Sequence, residues 1–176
     1  AWYKICCPTS QLAKPDLLGA IYRVRRKDAP KIEDPRGLKL SWRAMKPADL
    51  VKLLDDSRPA VRSRAIQQLA KQGNSAQPAL TKALETSGSN EARRNAIWAL
   101  TRIASPEARS SVRLALADKD VAVLQAATHS VSAWRDREAL EPLLVLLKQS
   151  PPPLQRAIAE ALGRIGDKSA VAPLLA

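Results

Sequence analysis

The chain has 176 residues, of which 45% are apolar but only 3% aromatic, and it carries a formal charge of +12. That length is enough for one domain and a tail, and a core without Phe must be built from Leu, Ala, Val and Ile, which suits closely packed helices better than aromatic-rich strands. No apolar run approaches the roughly 20 residues needed to span a bilayer, and the N-terminus lacks the apolar block of a signal peptide.

The charge is unevenly spread. Residues 1–46 hold 11 Lys/Arg against 4 Asp/Glu, whereas residues 47–176 hold 18 against 13. An anionic partner is therefore only weakly implied for the larger part. Starting at Ala1 without Met and stopping in "VAPLLA", the sequence reads as a segment of a longer chain.

Residues 1–44 form a linker outside any repeat. Cys6 and Cys7 are adjacent; a disulfide between neighbours forces a strained ring, and zinc calls for spaced Cys and His ligands, so the pair reads as structural. A β-type run, Ile21 to Val24, follows Gly19 between loops marked by Pro15 and Pro35. A lone strand is not stable in water, so this one needs a partner.

Residues 45–176 are expected to form an all-α solenoid. "KPADLVKLLDD" places Leu50, Val51, Leu53 and Leu54 behind Pro47, at a first helical turn where the missing N–H costs nothing. From about residue 57, four blocks superpose at a spacing of 31. Three columns (Val61, Ala92, Val123, Leu154; Ala65, Ala96, Ala127, Ile158; Leu69, Leu100, Val131, Leu162) recur at i, i+4 and i+8, which is one helix face. A fourth column, Asn74, Ser105, Asp136 and Asp167, reads as N-caps of a second helix. That helix carries Leu80 and Leu84, then Val112 and Leu116, then Leu143 and Leu147, with a one-residue slip between the first two blocks. Each block is thus a helix, a short turn and a helix, and such pairs bury their apolar faces only by stacking.

"VRSRAIQQLAKQGNSAQPAL" and "LQRAIAEALGRIGDKSAVAPLLA" resemble HEAT repeats of the short, phycobilisome-lyase-like type, over roughly residues 47–176. The resemblance implies an Arg near the start of each first helix paired with an Asp in a neighbouring turn. The matching column reads Arg62, Arg93, Leu124 and Gln155, so such a ladder is expected in the first two blocks only. The next column reads Ser63, Arg94, Gln125 and Arg156. Arg62, Arg93, Arg94 and Arg156 are the candidate partner-binding residues, as a groove for phosphates or carboxylates. The alternative is ion pairing between repeats, to acids such as Asp56 and Asp118.

"WYKICCPTSQLAKPDLLGAIYRVRRKDAPKIEDPRGLKLSW" looks like the last β-propeller segment and exit linker of the planctomycete-type secreted proteins described as membrane-bound dehydrogenases with a haem-binding domain. In that family a propeller similar to glucose/sorbosone dehydrogenases precedes HEAT-like repeats and a cytochrome c domain with a CxxCH motif. The resemblance implies an extracytoplasmic location, a parent that carries haem c, and Cys6 or Cys7 bridging to the propeller. CxxCH is absent from this chain, which is expected to bind no cofactor and no metal.

No catalytic residue is nominated. His129 has no nucleophile or acid at a suggestive spacing, Trp98 and Trp134 read as packing or interface anchors, and Asp55 and Asp56 as a turn. Phosphate-cradling glycine motifs are missing. Three functions remain: a scaffold between a dehydrogenase propeller and a cytochrome domain, a basic module binding nucleic acid or an acidic protein, and, on fold analogy alone, an enzyme.

Overall fold

The computed structural model describes residues 24, 26–28 and 30–175. It divides into two units, Ala1–Glu33 and Asp34–Ala176. In the first unit the described residues form neither helix nor strand. Cys6, Cys7 and all of the expected strand but Val24 lie outside the described residues.

The second unit is an α-solenoid. Helix α1 (Pro47–Lys52) runs into a 3-10 turn, Leu53–Asp55, and together they bury Leu50 and Leu54. It stands as the second helix of a preceding pair, with Pro47 in its first turn. Four blocks come after it. The first contains α2 (Pro59–Gln72) and α3 (Gln77–Thr86), and the second α4 (Asn90–Leu100) and α5 (Pro106–Leu114). The third contains α6 (Val121–Trp134) and α7 (Leu140–Gln149), and the last α8 (Pro152–Ile165) and the short α9 (Val171–Leu175). The first helices α2, α4, α6 and α8 pack side by side in chain order, each covered on one side by second helices.

The three repeat columns are the core. Val61, Ala65, Leu69, Ala96, Leu100, Val123, Ala127, Val131 and Ile158 are fully shielded from solvent, with Ala92, Leu154 and Leu162 also buried. Ala65, Ala96 and Ala127 stand where one first helix meets the next, and a methyl group there permits close approach. From the second helices Leu80, Val112 and Leu143 close the core beneath them.

Helix boundaries reflect local chemistry, with one departure from expectation. Ser105 accepts a hydrogen bond from the Ala108 amide and caps α5. Asp136 and Asp167 accept from Glu138 and Ser169, and each caps a 3-10 turn that leads into the second helix. Asn74 does not cap. It lies inside the 3-10 turn Gly73–Ser75, and α3 starts after Ala76 with no side-chain cap. α2 ends in the same column as α6 and α8, but α3 starts one column ahead of α7 and α9, which matches the slip in register, because the 3-10 turn follows at once on Gly73, at φ +60°. The same column holds Arg135, a left-handed residue at φ +51°, and Gly166 at φ +73°.

Residues 34–45 close the N-terminal end of the stack. Asp34 accepts from the amides of Leu38 and Lys39, and Trp42 Nε1 donates to the Gly37 carbonyl at 2.6 Å. Gly37 is required there: its φ is +63°, and a Cβ would come within 2.7 Å of Val61 Cγ2. The Trp42 ring lies under the Arg64 guanidinium, 5.3 Å away.

Two substitutions test this account. Ala96→Leu should cost about 1–3 kcal/mol by overpacking between first helices, read as a lower urea midpoint at unchanged slope. Arg135→Gly should add roughly 0.5–1 kcal/mol, because glycine adopts the left-handed conformation without the Cβ penalty; a higher thermal midpoint checks it.

Candidate interaction surface

Arginine at the start of a first helix serves two ends, divided by a single residue of register. Arg93, nearly buried, grips Asp118 with Nε to Oδ2 at 2.7 Å and Nη2 to Oδ1 at 3.0 Å, while its Nη1 donates to the Ser87 carbonyl. Arg62 repeats half of this, donating to the Asp56 carbonyl at 2.7 Å. The position matching Asp118 is Ser87, which offers no carboxylate, and Arg62 turns instead to Glu91 at 3.1 Å. Leu124 ends the ladder, and Gln155 keeps only a backbone bond, to the Leu147 carbonyl.

Other polar joints link successive blocks. Asn95 Nδ2 donates to the buried Leu54 carbonyl, and Asn90 to Asp120, whose carboxylate also caps α6. Arg113 reaches Asp136 and Glu138, each at 2.7 Å. Hydroxyl pairs, Thr81 with Ser111 and Thr101 with Ser130, complete the seams.

What these joints leave exposed is one stripe per first helix. In α2 it is Ser63, Gln67 and Lys71, and in α6 Gln125, His129 and Ala133, all exposed. In the second block the matching residues are Arg94 and Trp98 on α4, both half-buried, and Arg102 just past its end. In α8 they are Arg156, Glu160 and Arg164, again exposed. The stripes run side by side, and the contact of Trp98 with His129, ring centroids 5.5 Å apart and crossing at 66°, ties two of them at their centre. Arg94 pairs with Glu91 and Arg164 with Glu160; Arg102 donates to the Trp98 carbonyl.

The four arginines singled out from the sequence therefore do not form one groove. Arg93 is spent in the frame, Arg62 and Arg94 converge on Glu91, and Arg156 stands exposed further along the stack. Trp98 and His129 are central to the exposed face, a position visible only once the stack's inner and outer helix faces are known. Trp134 lies under Arg109, 5.5 Å away, and Asp56 holds Arg58 through two hydrogen bonds at 2.8 Å. Where the ladder stops, Leu124 borders an open groove of about 650 Å³ that also displays Leu114, Val121 and Val145. Among the described residues no group of three His, Cys, Asp or Glu side chains is placed to hold a metal, and no helix is long and apolar enough to cross a membrane.

Stacked helix pairs joined by buried polar seams define an α-helical repeat protein. The chain belongs to the HEAT-repeat family, whose model, described as HEAT repeats, matches residues 47–132 and 112–176. No curated protein matches it. Among solved structures it is similar to a designed armadillo repeat protein in complex with the peptide (KR)4, at 21% identity and a TM-score of 0.48, over 74% of this chain and 70% of that one.

Burial alone would raise the Asp118 carboxyl, but the Arg93 hydrogen bonds, the Asp120 amide and the Arg93 charge together hold it below the ordinary value. The hydrogen bond from Arg58 is the main cause of the same downward shift at Asp56. A carboxylate lowered on folding adds stability that is fully present above its unfolded pKa and is lost as pH falls through the folded one. Stability should therefore hold near neutrality and decline below about pH 4, the ordinary Asp value. Asp118→Asn should cost roughly 3 kcal/mol near neutrality by leaving Arg93 unpaired, and should make the acid decline shallower. Urea unfolding across that pH range reads both effects.

Proposed function

We propose that this segment is a non-catalytic interaction scaffold that joins two redox domains of one exported protein, a dehydrogenase-like propeller before it and a cytochrome c domain after it. HEAT-repeat architecture fits a protein-interaction scaffold. The observation that carries this reading is the division of labour on the first helices. One face is committed to packing, and the other stays exposed across four successive blocks, with aromatic and charged side chains on it.

The linking role rests on sequence. Residues 2–42 resemble the exit from a propeller, and they stand directly before the repeats, as in the layout of that family. On this reading haem belongs to a CxxCH motif elsewhere in the parent, and the solenoid sets the separation and orientation of donor and acceptor. A seam-rich stack suits that task, because continuous apolar contact between blocks is reinforced by the ion pairs of Arg93 and Arg113 in its middle. The net charge supports a second reading, a free-standing basic module for an acidic partner.

The coding sequence on either side of the segment, together with purification of the whole product, decides between them. The scaffold reading expects blade-like repeats upstream, CxxCH downstream and the absorption bands of covalently bound haem. A coding frame with neither flank overturns the linking role and leaves the free-standing module.

A further inference from the structure

The exposed face of the first helices has a chemistry of its own. At its centre Trp98, half-buried, meets His129 edge-on, so the pair forms a fixed aromatic step. Arg94 lies one turn before Trp98 on α4, and Arg102 four residues after Trp98, in the turn that follows the helix. Lys71 occupies the Arg102 column one block earlier, and Arg156 the Arg94 column two blocks later. Neither Lys71 nor Arg156 forms an ion pair among the described residues, and Arg102 spends one nitrogen on the Trp98 carbonyl.

We propose that this face binds an acidic protein segment, whose carboxylates meet Lys71, Arg102 and Arg156 while an aromatic or apolar side chain packs on the Trp98–His129 step. Charge surrounds a rigid apolar centre here, the arrangement in which a buried anchor gives affinity and a charged rim steers approach. Arginines of the same face already hold carboxylates, Arg94 that of Glu91 and Arg164 that of Glu160. Those two acids also disfavour a polyphosphate. A nucleic-acid backbone gains from a continuous row of cations that releases counterions, whereas here Ser63, Gln125 and Ala133 interrupt the basic columns and Glu91 and Glu160 stand beside them. The proposal rests on the scaffold reading but not on which domains flank the segment.

The test uses fluorescence anisotropy of the whole chain with a labelled glutamate–tyrosine copolymer at low salt, alongside polyglutamate and an oligo-dT strand. The copolymer should bind more tightly than either control. Arg102→Glu combined with Arg156→Glu, and separately His129→Asp, should each weaken it by about tenfold, the size of effect expected for charge reversal at a binding face. Lys82→Glu combined with Lys119→Glu makes the same change of net charge away from the face and should alter binding less than about twofold. All three changes fall on exposed side chains, and circular dichroism confirms that each variant is folded. Equal weakening by the Lys82 and Lys119 pair would assign binding to net charge and overturn the proposal. Tighter binding of oligo-dT, equal binding of polyglutamate, or no binding of the copolymer would also overturn it. None of these outcomes bears on the scaffold reading, which the flanking coding sequence tests separately.

Discussion

Everything in this unit depends on how closely one first helix can approach the next. A helix pair carries an apolar face that it cannot cover by itself, and stacking covers it only when the backbones come near enough for side chains to interdigitate. Ala65, Ala96 and Ala127, all fully shielded, set that distance. Once it is set, the remaining positions are assigned by geometry. Residues one turn apart along the contact must be small or aliphatic, polar groups trapped at its edges must find partners, and only one side of each first helix is left facing solvent.

The trapped polar groups explain why an arginine of the first helices can be internal. Arg93 lies almost wholly within the stack, where an unpaired guanidinium would be costly, and it is held by two carboxylate contacts and a backbone carbonyl. Its neighbour in sequence, Arg94, differs by one position, about 100° around a helix of 3.6 residues per turn, and so turns away from the seam to the edge of the exposed face. A formal charge counted over the chain does not separate these two kinds of arginine. The fold does, and the basic character that remains on the first-helix face is smaller and more patterned than the composition suggests.

Much of the fold was legible beforehand because periodicity reports burial directly. The columns beginning at Val61, Ala65 and Leu69 became buried faces at the expected spacing, Pro47 opened a helix of a preceding pair, and Ser105, Asp136 and Asp167 capped the helix or 3-10 turn that each one precedes. Asn74 misled because capping depends on where the 3-10 turn begins, and here it begins on Gly73, directly after α2, so that Asn74 falls inside it. The pairing of Arg93 with Asp118 was foreseeable from the family resemblance, but Arg62 was diverted to Glu91 by the serine at position 87, a consequence of two columns read together. The interaction face was the least legible part. Trp98 and His129 are 31 residues apart, and nothing in either neighbourhood marks them as touching; only the stacking register brings the rings together.

That contrast bears on where recognition resides in a repeat protein. Positions that must fit the neighbouring block are constrained to recur, so the buried columns are nearly uniform and carry no information about a partner. Positions on the open face are free of that constraint, and here they differ in every block: Gln67, Trp98, His129 and Glu160 occupy a single column. A column that varies while its buried neighbours do not is what a scaffold acquires when its packing is fixed and its surface is set by something else. The break in the arginine ladder at Leu124 belongs to the same logic from the other side. There a buried column does change, the guanidinium seam is replaced by aliphatic contact, and an apolar groove with Leu114, Val121 and Val145 opens beside it. The ion pairs of Arg113 with Asp136 and Glu138 lie one boundary earlier, between the second and third blocks, so the third and fourth blocks meet through aliphatic packing and the hydrogen bond from Gln155 to the Leu147 carbonyl.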